Sequence, residues 1–119
     1  MTLRSFPIMI SIITVGMNHR NYLEALYGSL YGEGRPDMEL EAVYVDNCST
    51  DGSAEWLREN YPQVKIVVNT ESLGFGENNN KGVMASLGEY IGIVNPDIIL
   101  KKGSINSIMN KAKEMNWGG

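Results

Sequence analysis

The residues best suited to chemistry in this chain are two aspartates that follow apolar stretches. Asp46 comes directly after the run Leu40 to Val45, and Asp97 comes three residues after Val94. A carboxylate at the first position suits a hydrogen bond from a nucleobase N–H or a ribose hydroxyl. One at the second suits a hard divalent cation, Mn2+ or Mg2+, bridging a diphosphate. Asn95 and Pro96 precede Asp97, and Pro96 stiffens the turn, although Asn-Pro-Asp also serves as an ordinary turn. Around Asp46 the chain reads Asp46-Asn47-Cys48-Ser49-Thr50-Asp51-Gly52-Ser53. Ser49, Thr50, Asp51 and Ser53 suit either ligand contact or turn formation and capping, and Asp51 is assigned to organising the loop.

Two further segments carry unusual polar residues. Gly74 and Gly76 permit a tight loop, and Asn78, Asn79 and Asn80 open a helix whose positive end suits phosphate oxygens. The other reading is a loop satisfied by its own asparagine side chains. The segment has neither the Gly-Lys-Ser/Thr ending of a Walker loop nor a dinucleotide fingerprint. Earlier in the chain, Gly16 allows close approach of a backbone or ligand, and Asn18 suits a helix cap as well as a ligand contact. His19, the single histidine, has no metal-ligand partner nearby and reads as a surface or helix-start residue. Cys48 has no basic neighbour to activate it as a nucleophile.

These residues need a scaffold, and the apolar pattern supplies one. Ile8–Val15, Leu40–Val45, Val64–Val68 and Tyr90–Val94 read as strands. Leu23, Leu26 and Leu30 predict a helix near 20–31. Ala54, Leu57 and Tyr61 predict a short one closed by Pro62. A third is expected near 77–87, with Val83, Met84 and Leu87 facing inward and Gly88 as its stop. The last carries Ile105, Ile108, Met109 and Ala112 after Ser104 as N-cap. Alternation of strand and helix implies an α/β domain spanning residues 1–119, with parallel strands, right-handed crossovers and helices on both faces. Such sheets bind ligands beyond the carboxyl ends of their strands. Most of the residues singled out above, from Gly16 to Asp97, lie at such an end.

Composition narrows the class. The chain has 119 residues, 43% apolar and 20% charged, enough for one folded core. A net charge of -4 argues against a nucleic-acid grip. One cysteine excludes an internal disulfide and suggests the cytoplasm. The longest apolar run, Ile8 to Val15, is far shorter than the ~20 residues of a transmembrane helix. With Arg4 as the only charged leader and no cleavage site, a signal peptide is a poor fit.

The motifs Val45-Asp46-Asn47-Cys48-Ser49-Thr50-Asp51-Gly52-Ser53, Asn69 with Leu73-Gly74-Phe75-Gly76, Asn79-Asn80-Lys81-Gly82, Gly88-Glu89-Tyr90 and Asn95-Pro96-Asp97 resemble glycosyltransferase family 2. The likeness runs from about Ile10 to the end and is to the rhamnosyltransferase-like branch. It implies a GT-A fold with sheet order 3-2-1-4 and a nucleotide diphosphate sugar as donor. By the same resemblance Asp46 contacts the base, and Thr14, Val15, Gly16 and Asn18 contribute to the nucleotide pocket. Asn79 and Asn80 would line the base and ribose, and Asp97 would touch the metal or ribose-diphosphate. Asn47, Ser49, Asp51, Gly74, Asn95 and Pro96 complete the expected donor site.

Asn95 stands where many members carry the first aspartate of an Asp-X-Asp motif. Gly16-Met17 replace a hydroxyl residue and an aromatic. Members also continue beyond this length, with acceptor-binding segments and an acidic general base for inverting transfer. No such base is named here, since Glu114 falls on a helix remote from the strand ends. The expectation is therefore a truncated, donor-binding portion, with a homo-oligomer or a complementing C-terminal half as possible partner and membrane association only through partners. The alternatives are a non-catalytic nucleotide-binding or oligomerising module and, more weakly, a response-regulator-like or dinucleotide-binding domain.

Overall fold

The computed structural model describes residues 8–114, with side-chain surroundings given through residue 111. The elements run β1 (Met9–Gly16), α1 (Arg20–Tyr31), β2 (Glu39–Asp46), α2 (Ser53–Asn60), β3 (Lys65–Val68), α3 (Phe75–Ala85), β4 (Tyr90–Ile93) and α4 (Ser104–Glu114). The four strands form one parallel sheet in the order β3-β2-β1-β4. That is the expected α/β architecture and strand order.

The pleat divides the strand residues between two faces. On one face Ile10, Ile12, Ala42 and Tyr44 pack with Leu23, Leu26, Tyr27 and Leu30 of α1, Leu57 of α2, and Ile105 and Met109 of α4. Burying each large side chain of this kind contributes about 1.5–3 kcal/mol. Tyr27, buried between Tyr44 and Tyr61, extends the cluster through ring contacts. On the other face α3 lies over β1 and β2. Gly82 makes the approach possible, because a Cβ there would overlap Ile13.

The face of α3 corrects the sequence reading. Val83, Met84 and Leu87 were expected inward, and all three are exposed, Met84 to 85%. The buried positions are Asn78, Asn79 and Gly82. The apolar stripe is real, but close backbone approach at Gly82 and amide bonding at Asn78 set the phase of the helix. The helix also begins at Phe75 and is capped at Ser86 rather than Gly88. Gly88 is small for another reason: a Cβ there would overlap the Ser11 hydroxyl.

Two further expectations change at α4. Ser104 is its first residue rather than its cap, with its hydroxyl donating to the Lys101 carbonyl. Ile108, expected inward, is exposed. The Ala112 and Glu114 side chains, Arg4 and the segment 115–119 lie outside what is described.

A polar network fastens the far end of α3. Glu41 accepts from Ser11 Oγ and the Leu87 N–H, each at 2.7 Å, and from Lys65 Nζ at 2.9 Å. Lys65 Nζ also donates to the Ala85 carbonyl at 2.7 Å, satisfying a helix-end acceptor. Burial pushes the Glu41 carboxyl upward, but these donors outweigh it and hold its pKa below the ordinary value.

Candidate nucleotide site at the strand ends

At the carboxyl ends of β1 and β2 the two following loops are clasped together. Asn18 and Cys48 both take left-handed backbone, with φ of 58° and 59°. Asn18 uses that conformation to bond across to the second loop: its N–H donates to Ser49 Oγ at 2.8 Å, and its Oδ1 accepts from the Thr50 N–H at 2.8 Å. Asp51 accepts from the Arg20 N–H at 2.9 Å and from the Ser53 N–H at 3.1 Å. One carboxylate therefore caps the starts of α1 and α2. Desolvation raises its pKa, but the Ser53 hydroxyl and the two N–H donors outweigh that, for a net depression.

Asn18 and Ser49 thus spend polar atoms on holding the two loops together, and Asp51 spends its carboxylate on the two helix starts. Gly16 admits the Tyr44 ring, whose hydroxyl a Cβ would strike. Burial raises the Tyr44 pKa, helped by the neighbouring Asp46 and Asp51 charges. Thr14 is fully buried on the α1 side of the sheet, and Val15 is half-buried. His19 accepts the Met17 N–H on Nδ1 at 2.9 Å and packs against Tyr22 at the start of α1.

Asp46 differs from Asn18, Ser49 and Asp51. It is 3% exposed; one oxygen accepts the Ser49 N–H at 3.3 Å, and Oδ1 has no partner among the described residues. Asn79 Oδ1 is buried and unpartnered in the same way. Each is an acceptor with no donor among the described residues. Leaving such a group unsatisfied costs about 1–3 kcal/mol, and more when it is charged.

The loop after β3 is held by amides. Asn47 Oδ1 accepts from Asn69 Nδ2 at 3.1 Å and the Leu73 N–H at 2.9 Å, while its own Nδ2 donates to the Leu73 carbonyl at 3.2 Å. Gly74 then caps α3, its carbonyl accepting the Asn78 N–H at 3.0 Å. Asn80 is exposed on the outer side of that helix. The sequence reading gave Asn69 no role of its own, although its place directly after an apolar strand was the available signal.

Beyond β4, the Ile98 N–H donates to the Asn95 carbonyl at 3.2 Å and closes the Asn-Pro-Asp turn. Pro96 is buried, whereas Asn95 and Asp97 are exposed. Strand β1 separates this turn from Asp46, a span of two strand spacings or about 10 Å. No cluster of three or more histidine, cysteine or acidic side chains occurs among the described residues. Asp97 and Asn95 are the oxygen-bearing side chains of this turn, at most a partial ligand set, so a cation here would need its remaining oxygens from elsewhere.

Residues 11–116 match the family model described as Glycosyl transferase family 2. The chain is 28% identical over 100 residues to the putative teichuronic acid biosynthesis glycosyltransferase TuaG of Bacillus subtilis (strain 168), covering 82% of this chain and 39% of that protein. It is 27% identical over 124 residues to the N-acetylglucosaminyl-diphospho-decaprenol L-rhamnosyltransferase of Mycobacterium tuberculosis (strain CDC 1551 / Oshkosh), covering 93% and 39%. Among solved structures, S. aureus TarS 1-349 in complex with UDP-GlcNAc superposes with a TM-score of 0.73 at 25% identity, over 92% of this chain and 32% of that one. The mannosyltransferase PcManGT of Pyrobaculum calidifontis, in complex with GDP-Man and Mn2+, gives 0.64 at 25% identity over 79% and 28%. The chain thus spans less than two-fifths of the length of each of these proteins.

Proposed function

The chain belongs to glycosyl transferase family 2, and from that premise we propose that its strand-end crevice binds the nucleoside diphosphate of a sugar donor. The observation that carries this reading is the Asp46 carboxylate, buried at the tip of β2 with Oδ1 unpartnered. A base imide N–H or a ribose hydroxyl would complete it, and Asn79 Oδ1 would take a second donor. Asn18, Asn47, Ser49, Asp51 and Gly74 act by shaping the walls. Thr14, Val15 and Gly16 form the floor beneath them. Asn80, on the outer side of α3, is given no ligand contact in this reading.

The Asn95-Pro96-Asp97 turn would hold a Mg2+ or Mn2+ ion through the Asp97 carboxylate, with diphosphate oxygens as further ligands. Such an ion neutralises charge on the diphosphate as it leaves. Donor binding is the part of inverting transfer assigned to this chain, and no residue in it is assigned as general base. Its single cysteine suits a reducing compartment, so the cytoplasm is the proposed location. Among the described residues, no helix is long and apolar enough to cross a membrane.

Calorimetry with UDP-, GDP- and dTDP-linked sugars in the presence of Mg2+ tests the reading. Wild-type chain should bind at least one of them, and Asp46→Ala should weaken that binding tenfold or more. Asp97→Ala should flatten the dependence of affinity on metal concentration. Silence of the wild type toward all three at millimolar ligand would sink the idea.

A second reading, an oligomerising interaction module, is favoured by one observation. Edge strand β4 exposes Ile91 and Ile93, and Ile98 and Ile99 beyond it are also exposed. An unpaired apolar edge of this kind favours association with another chain. Light scattering that shows a monomer at every concentration would argue against it.

A further inference from the structure

The residue that joins the parts of the crevice is Asn69. It is 5% exposed, and its side chain is engaged on both sides. Nδ2 donates to Asn47 Oδ1 at 3.1 Å and to Asn78 Oδ1 at 2.6 Å, while Oδ1 accepts from Lys81 Nζ at 3.0 Å. Its backbone N–H donates to the Asp46 carbonyl at 3.0 Å, and its carbonyl accepts from Cys48 Sγ at 3.5 Å. One side chain thus ties the loop after β2 to the first two turns of α3. The demand is specific: two donors on one side and one acceptor on the other, at the length of asparagine. An aspartate would turn two attractive contacts into oxygen–oxygen repulsions, and an alanine would take a donor from the buried Asn78 Oδ1 and from the half-buried Asn47 Oδ1, which keeps the Leu73 N–H.

We propose that Asn69 is a positioning residue of the nucleotide site, fixing Asn79 on α3 relative to Asp46 on β2. This rests on the donor-binding reading above. Asn69 touches loops and the start of α3, whereas the apolar core on the α1 side of the sheet packs without it. Loss of its amide should therefore show in affinity before it shows in the fold. Lys81, whose ammonium donates to the Asn69 amide oxygen, adds a charge-assisted bond to this chain.

The test compares wild type, Asn69→Asp, Asn69→Ala and a core control, Leu57→Ala, by calorimetry with UDP, GDP and dTDP in Mg2+, well below each melting temperature. For whichever nucleotide the wild type binds, both Asn69 variants should lose at least tenfold in affinity. Leu57→Ala should stay within twofold despite an equal or larger fall in melting temperature. Asn69 variants within twofold of wild type, or a control that loses affinity in step with its stability, would overturn the proposal. A wild type that binds none of the three would sink the donor reading instead, and backbone hydrogen exchange then decides the role of Asn69. Exchange at Leu73 and Asn78 should quicken at least tenfold in Asn69→Ala with β1 unchanged, and equal exchange in both proteins would refute the positioning role.

Discussion

Asp51 holds the first residues of two helices with one carboxylate, and the chemistry of that arrangement is acid-sensitive. Its pKa is depressed in the folded chain, as is that of Glu41. For a depressed carboxylate, the stabilisation is present above the unfolded-state value and is lost as pH falls through the folded-state value. Denaturant midpoints should therefore be flat from neutral pH down to about pH 5 and then fall, since ordinary carboxylates titrate near pH 4. Asp51→Asn should lower stability by about 1 kcal/mol at pH 7, the scale of a lost helix cap, and the gap should close in acid. An unchanged gap at pH 3 would show that the charge plays no part. The organising role of Asp51 was legible from its place between small hydroxyl residues before a helix. The bonds of Asn18 and Ser49 to the neighbouring loop were not. The same oxygen and N–H groups serve a ligand or a loop equally well, and the partner lies about thirty residues away in sequence.

Helix α3 carries the lesson at the next scale. Its apolar residues recur at helical spacing, so the helix itself was readable, but periodicity gives a stripe without saying what the stripe faces. Here the sheet lies against Gly82 and two asparagines, and the apolar stripe faces out. Gly82→Ala should accordingly destabilise the fold by about 1–3 kcal/mol through overpacking against Ile13, despite alanine's better helix propensity of ~1 kcal/mol. Met84→Lys should change stability by less than about 0.5 kcal/mol, as an exposed substitution does. Chemical denaturation of the two variants side by side checks the orientation, and the reverse order would place the helix wrongly. The four strands and their parallel order were legible for a simpler reason: β-branched runs alternating with helices leave few arrangements open.

At the scale of the whole molecule, the sheet ends on an apolar edge. Ile91 and Ile93 sit on the outermost strand, and Met84 and Leu87 are separately exposed at and beyond the end of α3. The chain should bind the dye ANS while fully folded, and Ile93→Lys should lower that fluorescence without lowering the melting temperature by more than a few degrees. A folded wild type dark to ANS would refute an exposed apolar edge of this extent. The sheet has another consequence, which concerns synthesis rather than stability. Central strand β1 pairs on one side with β4, Ile10 lying opposite Tyr90. At ribosomal speeds of about 5–20 residues per second, β1 waits roughly 4–16 s after its own emergence for that neighbour. Throughout that interval one flank of this largely buried strand is bare on the nascent chain. Mutations that slow translation between β1 and β4 would thus lengthen the period in which this chain depends on chaperones, with no change in the protein finally made.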